Sequence, residues 1–181
     1  MNANKELVRT KGTMENTAMF SKVSKDQFMI DISKYSYITS PGCYDEIELP
    51  ERATEGSAGY DIFMPFSITI NPGGTCTIPT GIKVKLDPGT FLMLVPRSSL
   101  GFKFQLGMAN TVGIIDSDYF NNPENEGHIM ARLVNHGKHA VHLAKGDAFC
   151  QGIILPFGLT ANDNPKGKRT GGLGSTDKEK A

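Results

Sequence analysis

The sequence predicts an all-β fold, and three observations lead to this prediction. Glycine and proline are abundant, with 20 and 10 among 181 residues. Short apolar runs rich in β-branched residues are separated by turn sequences at intervals of roughly 8–12 residues. Beyond Pro50 the only helical candidate is a turn or two near Ser99 to Phe104. Many short strands with closely spaced turns are typical of a sandwich, a jelly roll or a barrel.

The N-terminal part of the sequence has the weakest pattern of apolar and turn residues. Residues 1–17 are polar and mixed in charge, so we expect a loosely ordered or disordered lead. Between Met19 and Pro50, the run Phe28–Ile32 could form a strand, and Pro41–Gly42 is typical of a turn. The pattern does not indicate what these residues are for.

Beyond Pro50 the strands follow one another with turn residues between them. Asn71–Gly74, Asp87–Gly89 and His136–Lys138 have the composition of turns. The predicted strands are residues 59–63, 67–71, 75–78, 81–86, 90–95, 111–115, 128–134, 139–143 and 150–155. The length suits one domain, which we place at residues 18–160. It is followed by a polar, Gly-rich C-terminal arm (residues 161–181), which we expect to be mobile.

Charge and composition exclude several classes of function. Nineteen basic residues balance nineteen acidic ones. Because proteins that bind nucleic acids usually carry a basic excess, a polynucleotide is not the expected partner. No apolar stretch approaches the ~20 residues that a membrane span needs, and no signal peptide is evident. Three widely spaced cysteines predict free thiols and a cytoplasmic location.

Five short segments contain the residues that could take part in catalysis or in ligand binding. They are Ala58–Asp61, Pro96–Gly101, Gly113–Tyr119, Gly146–Gln151 and Arg169–Thr176. Asp116 follows an apolar run and precedes a turn, so its carboxylate could be held rigidly and could deprotonate a water molecule. It could equally cap the turn.

Two of these segments have the composition of phosphate-binding loops. Arg97 and Ser98 close one strand and open a turn, where their donors could converge on phosphates. Arg97 could instead belong to a structural ion pair. The arm has Gly171, Gly172 and Gly174 followed by Ser175 and Thr176, which suits a loop that folds over phosphates.

Three histidines at three-residue intervals form a pattern that could suggest zinc. His136 lies in a predicted turn, and a three-residue step between His139 and His142 places their side chains on opposite faces of a strand. We therefore predict a solvated hairpin here and no zinc site.

In sequence and spacing the five segments resemble the motifs of the trimeric dUTP diphosphatases (dUTPases), over roughly residues 50–176. The resemblance implies a jelly-roll or barrel-like homotrimer of the β-clip type that hydrolyses dUTP to dUMP and pyrophosphate. In the family, water activated by the residue equivalent to Asp116 attacks the α-phosphorus. Mg²⁺ assists while it is held by the triphosphate and water, and Asp61 orients it. One chain supplies the uracil hairpin and another chain supplies the arm.

The resemblance also implies a role for each remaining site residue. Ser98 would donate to the oxygen that bridges the α and β phosphates, and Tyr119 would stack under the deoxyribose and exclude a 2′-hydroxyl. Asn110 and the backbone of Gly113–Tyr119 would form the uracil pocket. The implied substrate contacts are Arg97, Ser99, Asn110, Gly113, Ile114, Tyr119, Gln151, Lys168, Arg169, Gly172, Leu173, Gly174, Ser175 and Thr176.

The chain departs from the family pattern in four places. Ser99 and Leu173 stand where glycine and phenylalanine are expected, and Leu173 cannot stack on a base as an aromatic ring does. The basic residue of the family pattern falls on Lys168, whereas Arg169 lies one residue nearer the glycines. Either side chain could therefore contact phosphate. The connection after Tyr119 (the long loop, residues 120–127) exceeds the usual length, and we expect it to be exposed on the surface.

Two alternatives remain at this stage. A dCTP deaminase shares the fold and the Arg-Ser-Ser type of motif, although it would need a different acid/base residue. A regulatory protein could retain nucleotide binding and use the pocket as a switch for a protein partner.

Overall fold

β-strands dominate the computed structural model, which describes residues 18–40, 42, 44–165, 167, 169 and 171–172. The strands are β1 (Ala18–Lys22), β2 (Tyr60–Phe63), β3 (Ile68–Ile70), β4 (Thr75–Pro79), β5 (Ile82–Leu86), β6 (Thr90–Pro96), β7 (Leu106–Met108), β8 (Gly113–Asp116), β9 (Met130–Asn135), β10 (Val141–Leu143) and β11 (Ala148–Pro156). The helices are α1 (Lys25–Ser33) and α2 (Ser98–Phe104). Short 3₁₀ turns cover Tyr44–Glu46 and Ser117–Tyr119.

The strands form antiparallel sheets that pack around one apolar core. The largest sheet has the order β2-β11-β6-β8, and a three-stranded sheet has the order β4-β9-β7. Two pairs, β1 with β5 and β10 with β3, complete the arrangement. Inward-facing residues of the larger sheets, such as Leu92, Leu94, Ile78 and Leu133, are almost fully buried. This confirms the prediction of a mostly β fold.

All nine predicted strands are present, with ends that differ from the prediction by at most two residues. The predicted helical turn near Ser99–Phe104 is α2. Two strands were not predicted. β1 is defined by five antiparallel pairs with the distant β5, and β7 is only three residues long.

The prediction of a strand at Phe28–Ile32 is wrong, because these residues belong to α1. The side chain of Ser24 caps the helix by accepting a hydrogen bond from the backbone N–H of Gln27 at 3.1 Å. Phe28, Asp31 and Ile32, spaced three and four residues apart, form the buried face. The helix α1 is therefore packed into the core.

The prediction that the long loop is exposed is wrong for part of it. Asn122 and Asn125 are only 6% and 8% exposed. Their amides bond to backbone groups of the same segment: Asn122 Nδ2 donates to the carbonyl of Tyr119 at 2.9 Å, and Asn125 Oδ1 accepts from the N–H of Gly127 at 3.1 Å. The loop is therefore a compact element.

The predicted lead at residues 1–17 lies outside the described residues. Within the described part of the chain, no helix is long and apolar enough to cross a membrane. Cys76 and Cys150 are free thiols in the core, and burial raises the pKa of Cys76 to about 11. Cys43 is not among the described residues.

Candidate active site

Three of the predicted site residues meet at one end of the largest sheet. Asp61 on β2 lies opposite Gln151 on β11, and Gln151 lies opposite Val95 on β6. Arg97 directly follows β6, and its Nε lies 3.3 Å from Asp61 Oδ1. The ion pair left open for Arg97 is therefore present, and it holds the guanidinium group beside Asp61, the strand partner of Gln151. This arrangement could receive a phosphate.

A glycine makes room for the amide of Gln151. A methyl group on Gly59 would lie only 2.4 Å from Gln151 Oε1 and 3.2 Å from Gln151 Cβ. The side chain of Gln151 therefore lies directly over Gly59, whose lack of a side chain allows this position. The Ala-Gly-Tyr-Asp segment thus contributes a glycine that seats Gln151 and an aspartate that pairs with Arg97.

Ser98 and Ser99 begin α2 and are exposed. Because the first N–H groups of a helix have no partner within it, this turn presents backbone donors beside the serine hydroxyls. The helix ends at Gln105, which adopts a left-handed conformation with φ of 53°. Both serines therefore lie close in sequence to Arg97 and can contact a ligand held there.

Asp116 ends β8 at the other end of the same sheet. It is paired with Phe91, whereas Arg97 comes after Pro96. Its carboxylate makes no capping hydrogen bond to the 3₁₀ turn that follows, and the side chain is 49% exposed. The turn-capping interpretation therefore has no hydrogen bond to support it in this structure.

Tyr119 closes that 3₁₀ turn and is buried. Its hydroxyl donates to the carbonyl of His128 at 3.0 Å and accepts from Asn125 Nδ2 at 2.8 Å. Burial raises the pKa of the phenol, and the hydrogen bond from Asn125 opposes that effect. These contacts fix the orientation of the ring. The Arg169 guanidinium carbon lies 5.7 Å from the ring centre.

Arg169 contacts carboxylates in this structure. Its guanidinium pairs with Asp116, and its Nε donates to Asp118 Oδ1 at 2.7 Å. The backbone N–H of Gly172 donates to Glu124 Oε2 at 2.6 Å. The other arm residues named above, Lys168, Leu173, Gly174, Ser175 and Thr176, lie outside the described residues.

The predicted uracil pocket begins at the connection between β7 and β8. Thr111 adopts a left-handed conformation with φ of 63°, and the N–H of Val112 donates to the carbonyl of Asn110 at 2.6 Å. Gly113 packs tightly on β6, since a methyl group there would lie 3.1 Å from Leu94 Cβ. Ile114, the next predicted contact, is 51% exposed.

A cavity of about 520 Å³ lies beside Asn110. Its walls include Met130 and Arg132 of β9 and two tyrosines, Tyr35 and Tyr37, from the N-terminal part of the chain. Residues 113–119 are not among its walls. The N-terminal part therefore borders the region that contains Asn110, which no pattern in the sequence indicated.

One chain does not bring the two halves of the predicted site together. Arg97 follows Phe91, the partner of Asp116, by six positions along the extended chain of β6. At ~3.3 Å per residue this is a distance of about 20 Å. Asp61, Arg97, Ser98 and Gln151 thus form one group, while Asp116 and Tyr119 form another.

Several side-chain contacts were not predicted from the sequence. Asp31 and His128 are both buried, and His128 Nδ1 lies 2.6 Å from Asp31 Oδ2. Because His128 Nε2 accepts from the N–H of Gly81 at 2.7 Å, its proton lies on Nδ1 and is donated to Asp31. The one available signal was the spacing of Phe28, Asp31 and Ile32 at positions i, i+3 and i+4, which places Asp31 on the inward face of α1. No sequence pattern pointed to Asp118 or Glu124, apart from their closeness to Asp116 along the chain.

No group of three or more His, Cys, Asp or Glu side chains in the described part of the chain is arranged to hold a metal ion. His142 Nδ1 lies 3.1 Å from Thr69 Oγ1 of the paired strand β3, which is a hydrogen bond across a sheet. His136 lies near Gly107, 3.6 Å from where a methyl group on that glycine would be.

Comparison with known proteins decides the family. A family model described as dUTPase matches residues 45–176, most of the chain. The chain belongs to the dUTPase family. It is 42% identical over 132 residues to the deoxyuridine 5′-triphosphate nucleotidohydrolase of Lactococcus lactis, covering 72% of this chain and 88% of that protein. It is 39% identical over 140 residues to the protein of the same name from Hahella chejuensis, covering 73% and 88%.

Solved structures agree with this assignment. The dUTPase of Streptococcus mutans superposes with a TM-score of 0.64 at 36% identity, covering 79% of this chain and 98% of that one. The dUTPase of Staphylococcus aureus phage phi11 superposes with a TM-score of 0.60 at 18% identity, covering 84% and 97%, which shows the fold alone. The prediction from the five motifs, an enzyme of the dUTP diphosphatase family, is confirmed. The trimer stays a prediction.

Proposed function

We propose that this member of the dUTPase family hydrolyses dUTP to dUMP and pyrophosphate with Asp116 as the general base. The observation that carries the proposal is the half-exposed carboxylate of Asp116 at the end of β8, which makes no hydrogen bond to the turn beside it. A rigid strand end holds the group, and its exposure leaves room for a water molecule within hydrogen-bond reach. Asp116 would take the proton of that water as its oxygen attacks the α-phosphorus.

The pyrophosphate would leave toward the group at the opposite end of the sheet. Ser98 would donate to the oxygen that bridges the α and β phosphates, where negative charge develops. Arg97 and Gln151 would hold the remaining phosphate oxygens, with Arg97 kept in place by Asp61. Lys168, Arg169, Gly174, Ser175 and Thr176 of the arm would close over the phosphates.

Both halves act on one substrate only if copies of the chain combine. Asp116 and Arg97 lie about 20 Å apart within one chain. At that distance a water molecule activated by Asp116 cannot reach a phosphate group held by Arg97. A ring of three copies would bring Asp116 of one copy to Arg97 and Ser98 of the next. The separation therefore supports the homotrimer with shared sites.

Selection of dUTP would come from a uracil pocket formed by Asn110 and the backbone of Gly113–Tyr119. Backbone N–H and C=O groups are rigid, so they can match the donors and acceptors of uracil and leave cytosine with unpaired polar groups. The ring of Tyr119, held by His128 and Asn125, would stack under the sugar and exclude a 2′-hydroxyl by contact. Leu173 would cover the base.

Magnesium would accompany the triphosphate. Mg²⁺ prefers oxygen ligands and retains several waters, and Asp61 supplies a carboxylate at the phosphate end of the site. A mutant dUTPase of phage phi11 from Staphylococcus aureus, described as coordinating a structural Mg(II) ion, shares 18% identity with this chain. When bound, the ion would spread the charge of the phosphates, and Asp61 would orient its water shell.

The decisive experiment measures pyrophosphate release from dUTP, UTP, dTTP and dCTP. We expect activity on dUTP alone, and a fall of about 10²–10⁴-fold in Asp116→Asn, because the amide cannot accept the proton. Asp87→Asn, an exposed aspartate in a turn, is the control and should retain full activity. Comparable rates with UTP would contradict the role of Tyr119, and ammonia release from dCTP would favour a deaminase.

A mixing experiment tests the shared site. Asp116→Asn and Ser98→Ala chains are each expected to be nearly inactive alone. Mixed in equal amounts after subunit exchange, they should regain about a quarter of the wild-type rate, because one in four junctions combines an intact Asp116 with an intact Ser98. No recovery, with mixed oligomers present by mass spectrometry, would show that the two residues act within one chain.

A further inference from the structure

The hydroxyl group of Tyr119 is held by two partners. It donates to the carbonyl of His128 at 3.0 Å and accepts from Asn125 Nδ2 at 2.8 Å. Tyr119 is only 8% exposed, so these bonds take the place of hydrogen bonds to water. Because a hydrogen bond requires both a short distance and good alignment, the two partners together fix the position of the far end of the ring.

The long loop immobilises the amide group of Asn125, which is the donor. Asn125 Oδ1 accepts from Asn122 Nδ2 at 2.8 Å and from the N–H of Gly127 at 3.1 Å. The backbone N–H of Asn125 donates to Asn122 Oδ1 at 3.2 Å, and the residue is buried. The side-chain oxygen and the backbone of Asn125 are thus both bonded within the loop, and this directs the amide nitrogen at Tyr119.

The carbonyl of His128, which is the acceptor, belongs to an equally fixed residue. The backbone N–H of His128 donates to the carbonyl of Asn125 at 2.9 Å. The fully buried imidazole ring lies between Asp31 Oδ2, at 2.6 Å from Nδ1, and the N–H of Gly81, at 2.7 Å from Nε2. His128 is therefore attached to the long loop, to α1 and to the turn between β4 and β5.

We propose that Asn125 is a positioning residue for Tyr119 and that, through the tyrosine hydroxyl, it determines how strictly the site rejects ribonucleotides. The proposal rests on the proposed function for the place of Tyr119 under the sugar. Exclusion of a 2′-hydroxyl by contact works only while the ring cannot move aside, because crowding is relieved when a neighbour shifts. The greater length of the long loop brings Asn125 back to the residue that directly precedes the loop.

Tyr119→Phe separates the anchored hydroxyl from the presence of a ring. This variant keeps the ring and loses both hydrogen bonds, whereas Asn125→Ala removes one of them. Calorimetry measures the dissociation constants of the non-hydrolysable α,β-imido analogues of UTP and dUTP for the full-length protein with Mg²⁺. We expect the ratio of the UTP to the dUTP constant to fall roughly tenfold in each variant, because the UTP analogue gains affinity.

A double variant tests whether Asn125 acts through the hydroxyl of Tyr119. In the Tyr119→Phe background, Asn125→Ala should change the ratio no further, because the group that Asn125 contacts is already absent. If Asn125→Ala does not fold, Asn125→Asp replaces it. This variant keeps the oxygen that holds Asn122 and Gly127 and removes the donor, so the hydroxyl has one partner instead of two and the ratio should fall as well.

Two control variants match the loss of hydrogen bonds elsewhere in the chain. Tyr44→Phe removes a phenol hydroxyl that donates to the carbonyl of Val23. Asn135→Ala removes a fully buried amide that makes three hydrogen bonds to backbone groups. Both should lower stability and leave the ratio of dissociation constants unchanged. An equal fall of the ratio in the controls would assign it to lost stability and would overturn the proposal.

The outcomes distinguish this proposal from the proposed function. A wild-type ratio in Tyr119→Phe would overturn the proposal, because the ring alone would then exclude the ribose. Equal affinity of the wild type for both analogues would also overturn it. Selective binding without pyrophosphate release from dUTP would refute the proposed hydrolysis, while the ratios in the variants would still decide the role of Asn125.

Discussion

At the scale of single residues, the site depends on a glycine that has no chemistry of its own. Gly59 leaves room for the Gln151 side chain, whose amide oxygen would lie 2.4 Å from an added methyl group. The nearest atom is the end of a flexible side chain, so the amide can move aside while the backbone remains in place. Position 59 can therefore change substrate binding without a large change in stability.

We expect Gly59→Ala to raise the KM for dUTP roughly tenfold, the value of one lost hydrogen bond to a charged group. The melting temperature should shift little. Steady-state kinetics and a thermal melt measure the two effects. Gly56→Ala is the matched control, because nothing lies within 4 Å of a methyl group at that position. An unchanged KM in Gly59→Ala would argue against a phosphate contact by Gln151.

At the scale of elements, α1 explains the N-terminal part of the chain. Phe28 is fully buried, Val23 is 1% exposed, and β1 adds five residue pairs to β5. The rings of Phe28 and His128 lie 6.2 Å apart, so the helix packs against the segment that directly follows the long loop. This segment is part of the core and cannot be removed as a tail.

Phe28→Ala should destabilise the protein by about 3–5 kcal/mol, because it leaves a cavity in a packed core. Ile30→Ala on the same helix is the control. Its side chain is 55% exposed, so the change should cost about 0.5 kcal/mol or less. Urea unfolding of both variants at one protein concentration measures the difference. Equal losses would show that α1 is held by something other than its buried face.

Local signals predicted the β domain well, and the failures share a physical cause. β2 to β6 and β8 to β11 have apolar alternation and turn residues of their own, which is why their ends were predicted closely. Phe28–Ile32 is too short a run to distinguish a strand from a helix, and the decision comes from the cap at Ser24 and from burial. β1 depends on a partner sixty residues away. Non-local pairing of this kind leaves no local pattern.

In the candidate site, too, residues in local motifs were predicted and contacts between distant parts of the chain were not. The five motifs identified Asp61, Arg97, Asp116 and Gln151, three of which the fold brings together at one sheet end. The hydrogen bond between the N–H of Gly172 and Glu124 was not predicted, because the two residues are 48 positions apart in sequence. A family pattern also has no information on a connection that is longer than the usual one.

At the scale of the whole molecule, buried charge connects the N-terminal part to the long loop. Asp31 accepts from Lys34 Nζ at 2.6 Å and from Gln27 Nε2 at 2.8 Å, in addition to His128. Burial raises its pKa, but these hydrogen bonds outweigh burial and lower the pKa from 3.8 to about 2. The hydrogen bonds from Ser24 and Lys83 likewise lower the pKa of Glu126 from 4.5 to about 2. Both carboxylates therefore stabilise the fold in their ionised form.

These shifts predict how the stability depends on pH. Because the folded pKa of each group lies below the unfolded one, the unfolded chain binds more protons between about pH 4.5 and pH 2. The stabilisation is complete above that range and is lost as the pH falls through it. For Asp31 the lowered pKa corresponds to about 2 kcal/mol of the free energy of unfolding above that pH range.

The double variant Asp31→Asn, Glu126→Gln should be less stable at neutral pH and should lose less stability between pH 4.5 and pH 2. Urea midpoints of both proteins at one concentration measure this, and parallel curves would contradict the assignment of the acid sensitivity to these two carboxylates.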